Sequence, residues 1–190
     1  MLQRLADRSC GDCTACCSFI PIRSPELEKP SNTLCPHCIA GTGCTVYEIR
    51  PDPCRGWYCG WFFLAALGPA WHPGRSGVVI RPEGLLDDQV TVVILRRSPF
   101  LTSEIFAGTV AGWVSAGIEV AFERVGPSGC LPAKIAMNDL LKPAIERRSL
   151  PEMQKVFSWA IGYVDTQHQW EPDGMILRSA LGHAPLSGNQ

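Results

Sequence analysis

From residue 76 onward the hydrophobic positions change period several times, and each change marks an element. Residues 76–81 and 89–96 are rich in β-branched side chains and are separated by Pro82-Glu83-Gly84 and Asp87-Asp88, which predicts a β-hairpin. Phe106, Val110, Trp113 and Val114 recur at helical spacing within residues 101–117, so that stretch predicts an amphipathic helix. Residues 118–123 alternate as a strand, and residues 130–137 form a further strand after a Pro-Ser-Gly turn. Asn138 or Asp139 is expected to cap a helix over residues 140–147, with Pro143 within or just beyond its first turn. Ser149-Leu150-Pro151-Glu152 has the form of a capping box opening a last helix. Its stripe of Met153, Val156, Phe157, Ala160, Ile161 and Val164 is core or docking surface.

Ahead of these elements the pattern fades. Residues 61–67 can form a short helix, broken by Gly68-Pro69 and His72-Pro73-Gly74, and residues 18–34 read as a loop of prolines and polar side chains. The element order β-β-α-β-β-α predicts an α+β class: a small mixed or antiparallel sheet with helices on one face. Against one edge of that sheet we expect an irregular, cysteine-rich N-terminal module that binds metal. The division expected is a module over residues 1–62, an α+β unit over 63–166 and a loosely held tail over 167–190. No repeat, P-loop, Rossmann glycine fingerprint or G-x-S-x-G is present, and Asp87-Asp88 reads as a turn before an acid/base pair.

Composition narrows the function classes. Hydrophobic residues at 46% and charged residues at 18% suit a folded chain, and a formal net charge of −1 supplies no basic field for nucleic acid. The most apolar stretch, residues 61–70, is too short to span a bilayer, and the N-terminus lacks an apolar run of signal-peptide length. The expectation is a cytoplasmic protein without a membrane partner, in a compartment where thiols stay reduced.

The chemistry is carried by cysteine. Of ten cysteines, all but Cys130 fall between Cys10 and Cys59: Cys10, Cys13, Cys16, Cys17, Cys35, Cys38, Cys44, Cys54 and Cys59. A disulfide knot is disfavoured by the odd number in the cluster, by the strain of bridging the adjacent Cys16 and Cys17, and by the reducing address. A shared metal is the stronger reading. Cys10-Gly-Asp-Cys13 and Cys35-Pro-His-Cys38 are C-x2-C knuckles, which bring two sulfurs to one ion. If the first segment is helical, Cys10, Cys13 and Cys17 share a face while Cys16 lies about a hundred degrees away. One of the adjacent pair is then spare or bridging, or two centres exist. Zinc or an iron–sulfur cluster would be satisfied by four thiolates. Arg55 is the expected donor to sulfur from outside the ligand shell, with Trp57, Tyr58 and Trp61 as cover or as the seam to the second unit. His37 is a reserve ligand; His72, His168 and His183 are scattered and suggest no catalytic dyad. Cys130 reads as a buried small hydrophobe.

The Cys10-x2-Cys13-x2-Cys16-Cys17 run, Cys35-Pro36 and the block Cys44-Thr45-Val46-Tyr47-Glu48-Ile49-Arg50-Pro51-x2-Cys54-Arg55 resemble the YkgJ-type cysteine-cluster family over the first third of the chain. The resemblance implies a zinc- or iron-chelating domain in which Cys10, Cys13, Cys16, Cys17, Cys35, Cys44 and Cys54 match the family's cysteines. Cys38 and Cys59 look like additions of a subgroup. Because the family includes flagellin lysine N-methylases, it also implies a second possibility, an iron–sulfur enzyme, although no adenosylmethionine-binding loop is recognisable here. A zinc-stabilised interaction module is a third. Chelation of a metal ion ranks first, and no catalytic activity follows from the residues.

Overall fold

The computed structural model describes residues 5–57, 59–83 and 88–170. The N-terminal part is nearly devoid of long elements. It contains helix α1 (Ala15–Phe19), the ladder of β1 (Ile22–Arg23) with β2 (Glu28–Lys29), the ladder of β3 (Cys38–Ile39) with β4 (Gly43–Cys44), and helix α2 (Asp52–Arg55). A 3₁₀ turn at Gly60–Phe62 stands where a short helix over 61–67 was expected. Helix α3 (Pro73–Ser76) then leads into the sheet.

The sheet contains β5 (Val78–Glu83), β6 (Gln89–Ile94), β7 (Glu119–Arg124) and β9 (Ala133–Ala136), in the order β5-β6-β7-β9. It is mixed. β5 and β6 form the expected antiparallel pair, with Val78 opposite Ile94. β6 and β7 run parallel, because helix α4 (Glu104–Ser115) carries the chain back between them. The long strand expected over 130–137 is split at Pro132, leaving the two-residue β8 (Cys130–Leu131), which pairs with β10 (Gln169–Trp170). Helices α5 (Asn138–Glu146) and α6 (Leu150–Thr166) complete the fold, giving the α+β class. Of the tail expected over 167–190, residues 171–190 lie outside the described residues.

Alternation along the strands decides what lies on each face. Val78, Ile80, Val92, Ile94, Val120 and Phe122 point to one side and pack against α4, α5 and α6 through Phe106, Val110, Leu141, Phe157 and Val164. Trp71 closes this core, its ring 5.4 Å from that of Phe106. On the opposite face, Val79, Val93, Leu95 and Val125 pack against Ala15, Cys59 and Phe62. The cysteine layer therefore covers part of the second face of the sheet as well as the edge strand β5. Gly60 lets the segment through Cys59 and Phe62 pass close along the edge strand β5, since a Cβ there would stand 2.8 Å from Ile80 Cγ2 and 3.1 Å from the Ile80 carbonyl oxygen. The rest of that face is polar. Arg81 forks onto Glu123 at 2.6 and 3.0 Å, and Arg81, Thr91 and Lys134 converge on Glu83.

Two capping expectations resolve differently. Asn138 does not cap α5; its amide bridges to β7, accepting from Val120 N–H and donating to the Ile118 carbonyl, both at 2.8 Å. With the helix starting at Asn138, Pro143 sits inside it, just beyond the first turn as expected. Ser149 makes no side-chain cap, and Glu152 pairs instead with Arg147 at 2.7 Å. Among the described residues no helix is long and apolar enough to cross a membrane.

Two predictions follow from the seam and its polar neighbour. Gly60→Ala should lower unfolding stability by about 1–3 kcal/mol, the usual cost of forcing atoms into a packed contact, as read from urea denaturation. Burial of Glu83 alone would raise its pKa, but hydrogen bonds from Thr91, Arg81 and Lys134 outweigh it and hold the carboxyl at about 2. Its contribution is then present in full above the unfolded value of 4.5 and disappears as pH falls through about 2. Glu83→Gln should cost about 1 kcal/mol at pH 7, allowing for partial exposure, and should match the wild type near pH 2.

Candidate metal centre

Both C-x2-C segments close tight turns. The Cys13 N–H donates to the Cys10 carbonyl at 2.7 Å, and the Cys38 N–H donates to the Cys35 carbonyl at 3.0 Å. The Cys35 N–H in turn donates to the Cys17 carbonyl at 2.9 Å, tying the second turn to α1. Cys38 faces Cys44 across the β3–β4 ladder. Gly43, at φ +115°, lets that hairpin press on the first turn; a Cβ would lie 2.6 Å from the Gly11 carbonyl oxygen. The helical face expected to unite Cys10, Cys13 and Cys17 does not form, because α1 begins only at Ala15. Cys10 and Cys13 lie on a turn, while Cys16 and Cys17 lie on the helix.

A cavity of about 150 Å³ opens between these segments and is lined by Cys10, Cys13, Cys16, Cys17, Cys35, Cys44, Cys54 and Cys59. Cys38 is buried beside Cys17, whose thiol hydrogen-bonds with those of Cys16 and Cys38. The thiols divide between two apolar clusters. Cys10, Cys13 and Cys59 belong to the one against the sheet, whereas Cys17, Cys35, Cys38 and Cys54 surround Leu27 and Ile22 farther out. All ten cysteines are free thiols. Among the described residues no three His, Cys, Asp or Glu side chains converge closely enough to hold an ion as they stand. The sulfurs share a cavity rather than a point. Rotation about one χ1 moves a cysteine sulfur by about 3 Å.

Burial governs the electrostatics. It raises the pKa of Cys10, Cys13 and Cys54 and pushes Cys38 and Cys59 up to about 12. Cys17 is raised first by its hydrogen bond to Cys16 and then by burial. Opposing this, backbone N–H groups already point at sulfur, those of Ala15 and Gly74 at Cys13 and those of Trp61 and Phe62 at Cys59. Such donors stabilise a thiolate more than a thiol. Burial thus favours the thiol form of Cys10, Cys13, Cys38, Cys54 and Cys59, while the N–H groups aimed at Cys13 and Cys59 favour negative charge on sulfur.

Two cations are in place for that charge. Lys29 is only 1% exposed, and its Nζ donates to the carbonyls of Pro30 and Thr33 at 3.3 and 3.0 Å. Burial lowers its pKa, while Cys35, Cys17, Cys16 and Cys54 favour the charged form. Arg50 packs over the Tyr47 ring at 4.0 Å and acts on both Cys10 and Cys54. Arg55, the donor expected from the sequence, instead pairs with Asp52 and is largely exposed. His37 lines the cavity, and so does His72, which was not expected beside the cysteines. Trp57 and Trp61 also line it and pack against the sheet-side cluster; Tyr58 and His183 are outside the described residues. Cys130 is half-buried in its short ladder, not a core residue.

No family model, curated protein or solved structure matches the chain.

The raised Cys59 thiol gives a direct measurement. In metal-free, reduced protein at pH 7.5, iodoacetamide should modify Cys59 at least about a hundredfold more slowly than in the urea-unfolded chain, because the thiolate is the nucleophile. Equal rates in the two states would contradict the burial described above.

Proposed function

We propose that this chain is a metal-binding protein whose clustered thiolates hold zinc or an iron–sulfur centre. The observation that carries this is Lys29, a buried ammonium set among Cys16, Cys17, Cys35 and Cys54. Among the described residues no carboxylate pairs with it. A buried cation needs a compensating anion. Neutral thiols do not supply one. Four thiolates on Zn²⁺ or on a [4Fe–4S]²⁺ core carry a net charge of about −2, which an adjacent ammonium offsets.

Three further features support this function. The cysteines are free, both C-x2-C turns are formed, and Arg50 adds a second cation beside Cys10 and Cys54. Cys16, Cys17, Cys35 and Cys54, which surround Lys29, would hold the metal there together with the adjoining Cys38 and Cys44. The resemblance to the YkgJ-type cysteine clusters points to the same chelating chemistry. A bound zinc would supply a cross-link and an iron–sulfur cluster an electron-transfer centre.

Elemental analysis and a visible spectrum of anaerobically purified protein test this. At least one equivalent of zinc or iron is expected; iron–sulfur protein would be brown and zinc protein colourless. Cys44→Ser should lose the metal held around Lys29 and Cys130→Ser should keep it. Lys29→Met should shorten metal retention against a chelator by about tenfold, without weakening the metal-free fold. Well-folded wild type that neither carries metal nor takes it up on reconstitution would overturn the proposal.

A further inference from the structure

The cavity has two chemically different ends. At the sheet end, Cys10, Cys13 and Cys59 share an apolar cluster, and Cys59 is close enough to Cys10 and Cys13 for both to act on it electrostatically. His72 lies at this end, its ring 4.9 Å from that of Trp61 and perpendicular to it. Its Nδ1 is buried and has no hydrogen-bond partner among the described residues. Gly74 brings the imidazole and a thiol together. A Cβ on that glycine would lie 3.4 Å from His72 Nδ1 and 4.0 Å from Cys13 Sγ, so the two groups flank the same bare stretch of backbone. The same glycine's N–H is one of two aimed at Cys13, and two more are aimed at Cys59. An unpartnered ring nitrogen, three thiols and four N–H groups directed at sulfur make up the donor set of a Cys₃His zinc site with its outer hydrogen bonds.

We infer that Cys10, Cys13, Cys59 and Nδ1 of His72 form a second centre, selective for a thiophilic divalent cation such as zinc and separate from the thiolate group around Lys29. This rests on metal binding in the cysteine cavity as proposed above. It adds a ligand, His72, and a count, two. Two centres also resolve the adjacent Cys16 and Cys17. Once Cys10 and Cys13 are committed to the sheet end, Cys16 and Cys17 remain for the outer group, with Cys17 standing between the two and acting on Cys10 and Cys13 as well.

The test reconstitutes reduced, metal-free protein with zinc, counts bound metal by elemental analysis, and repeats the titration with cobalt(II) to read the thiolate charge-transfer band. Wild type should take up about two equivalents. His72→Asn and Cys59→Ser should each fall to about one, and Cys35→Ser should lose the other equivalent while keeping the cobalt spectrum of the sheet-end site. His72→Cys should restore the second equivalent with a more intense thiolate band, which separates lost ligation from misfolding. No metal uptake by wild type would overturn metal binding itself. Uptake that Cys35→Ser abolishes, but that His72→Asn and Cys59→Ser leave unchanged in count and spectrum, would overturn the second centre alone.

Discussion

Lys29 lies at the end of a two-residue strand, with its ammonium held by two carbonyls and surrounded by sulfur. A lysine seldom withdraws from water so completely, because desolvating its charge costs several kcal/mol unless an anion stands beside it. The outer half of the cysteine layer is built around this group. The β1–β2 ladder carries it inward, α1 and the Cys35–Cys38 turn supply the thiols, and the Pro30–Thr33 loop supplies the carbonyls. Each of these pieces is too short to be stable by itself. What orders them is the interior they share, in which sulfur is the main occupant. Thiolates there would satisfy the lysine, and the lysine would in turn lower the cost of gathering thiolates.

The inner half depends on the sheet. Four strands with helices on one side leave a second face, and alternation makes half of it apolar. Val79, Val93, Leu95 and Val125 need cover, and the segment through Cys59, Gly60 and Phe62 provides it at the closest approach the backbone allows. The remaining half of that face carries Arg81, Glu83, Glu123 and Lys134, which neutralise one another instead of packing. The sheet thus divides its outer surface into a part that seats the cysteine layer and a part that needs no cover.

The elements of the α+β unit were legible because each is long enough to show a period. Phe106, Val110 and Trp113 mark α4, and the stripe from Met153 to Val164 marks α6, both close to their observed limits. The caps were misread because their side chains had competing partners. Asn138 gains two hydrogen bonds by bridging to β7 where capping offers one, and Glu152 meets Arg147. The cysteines were legible as a group but not as two sets, since that division depends on α1 starting at Ala15 and on Cys59 following the sheet. Lys29 and His72 gave no local signal. A lysine in a proline-rich loop reads as solvated, and a histidine far from the cysteines in sequence shows no link to them until the chain returns through α3.

The placement of the two thiol groups has a consequence for how metal and fold would be coupled. The outer group is carried by short ladders, turns and the short helices α1 and α2, so closing it would order chiefly the N-terminal part. The inner group includes Cys59, one residue from the tight contact of Gly60 with Ile80, and His72, immediately before the helix that feeds β5. An ion held there would connect the turn at Cys10–Cys13 to both ends of the 59–72 segment, and through them to the first strand of the core. Because binding to the folded form alone stabilises it by mass action, the inner site would add its stability to the whole α+β unit. The outer site would add its own mainly to residues that have little other means of staying folded.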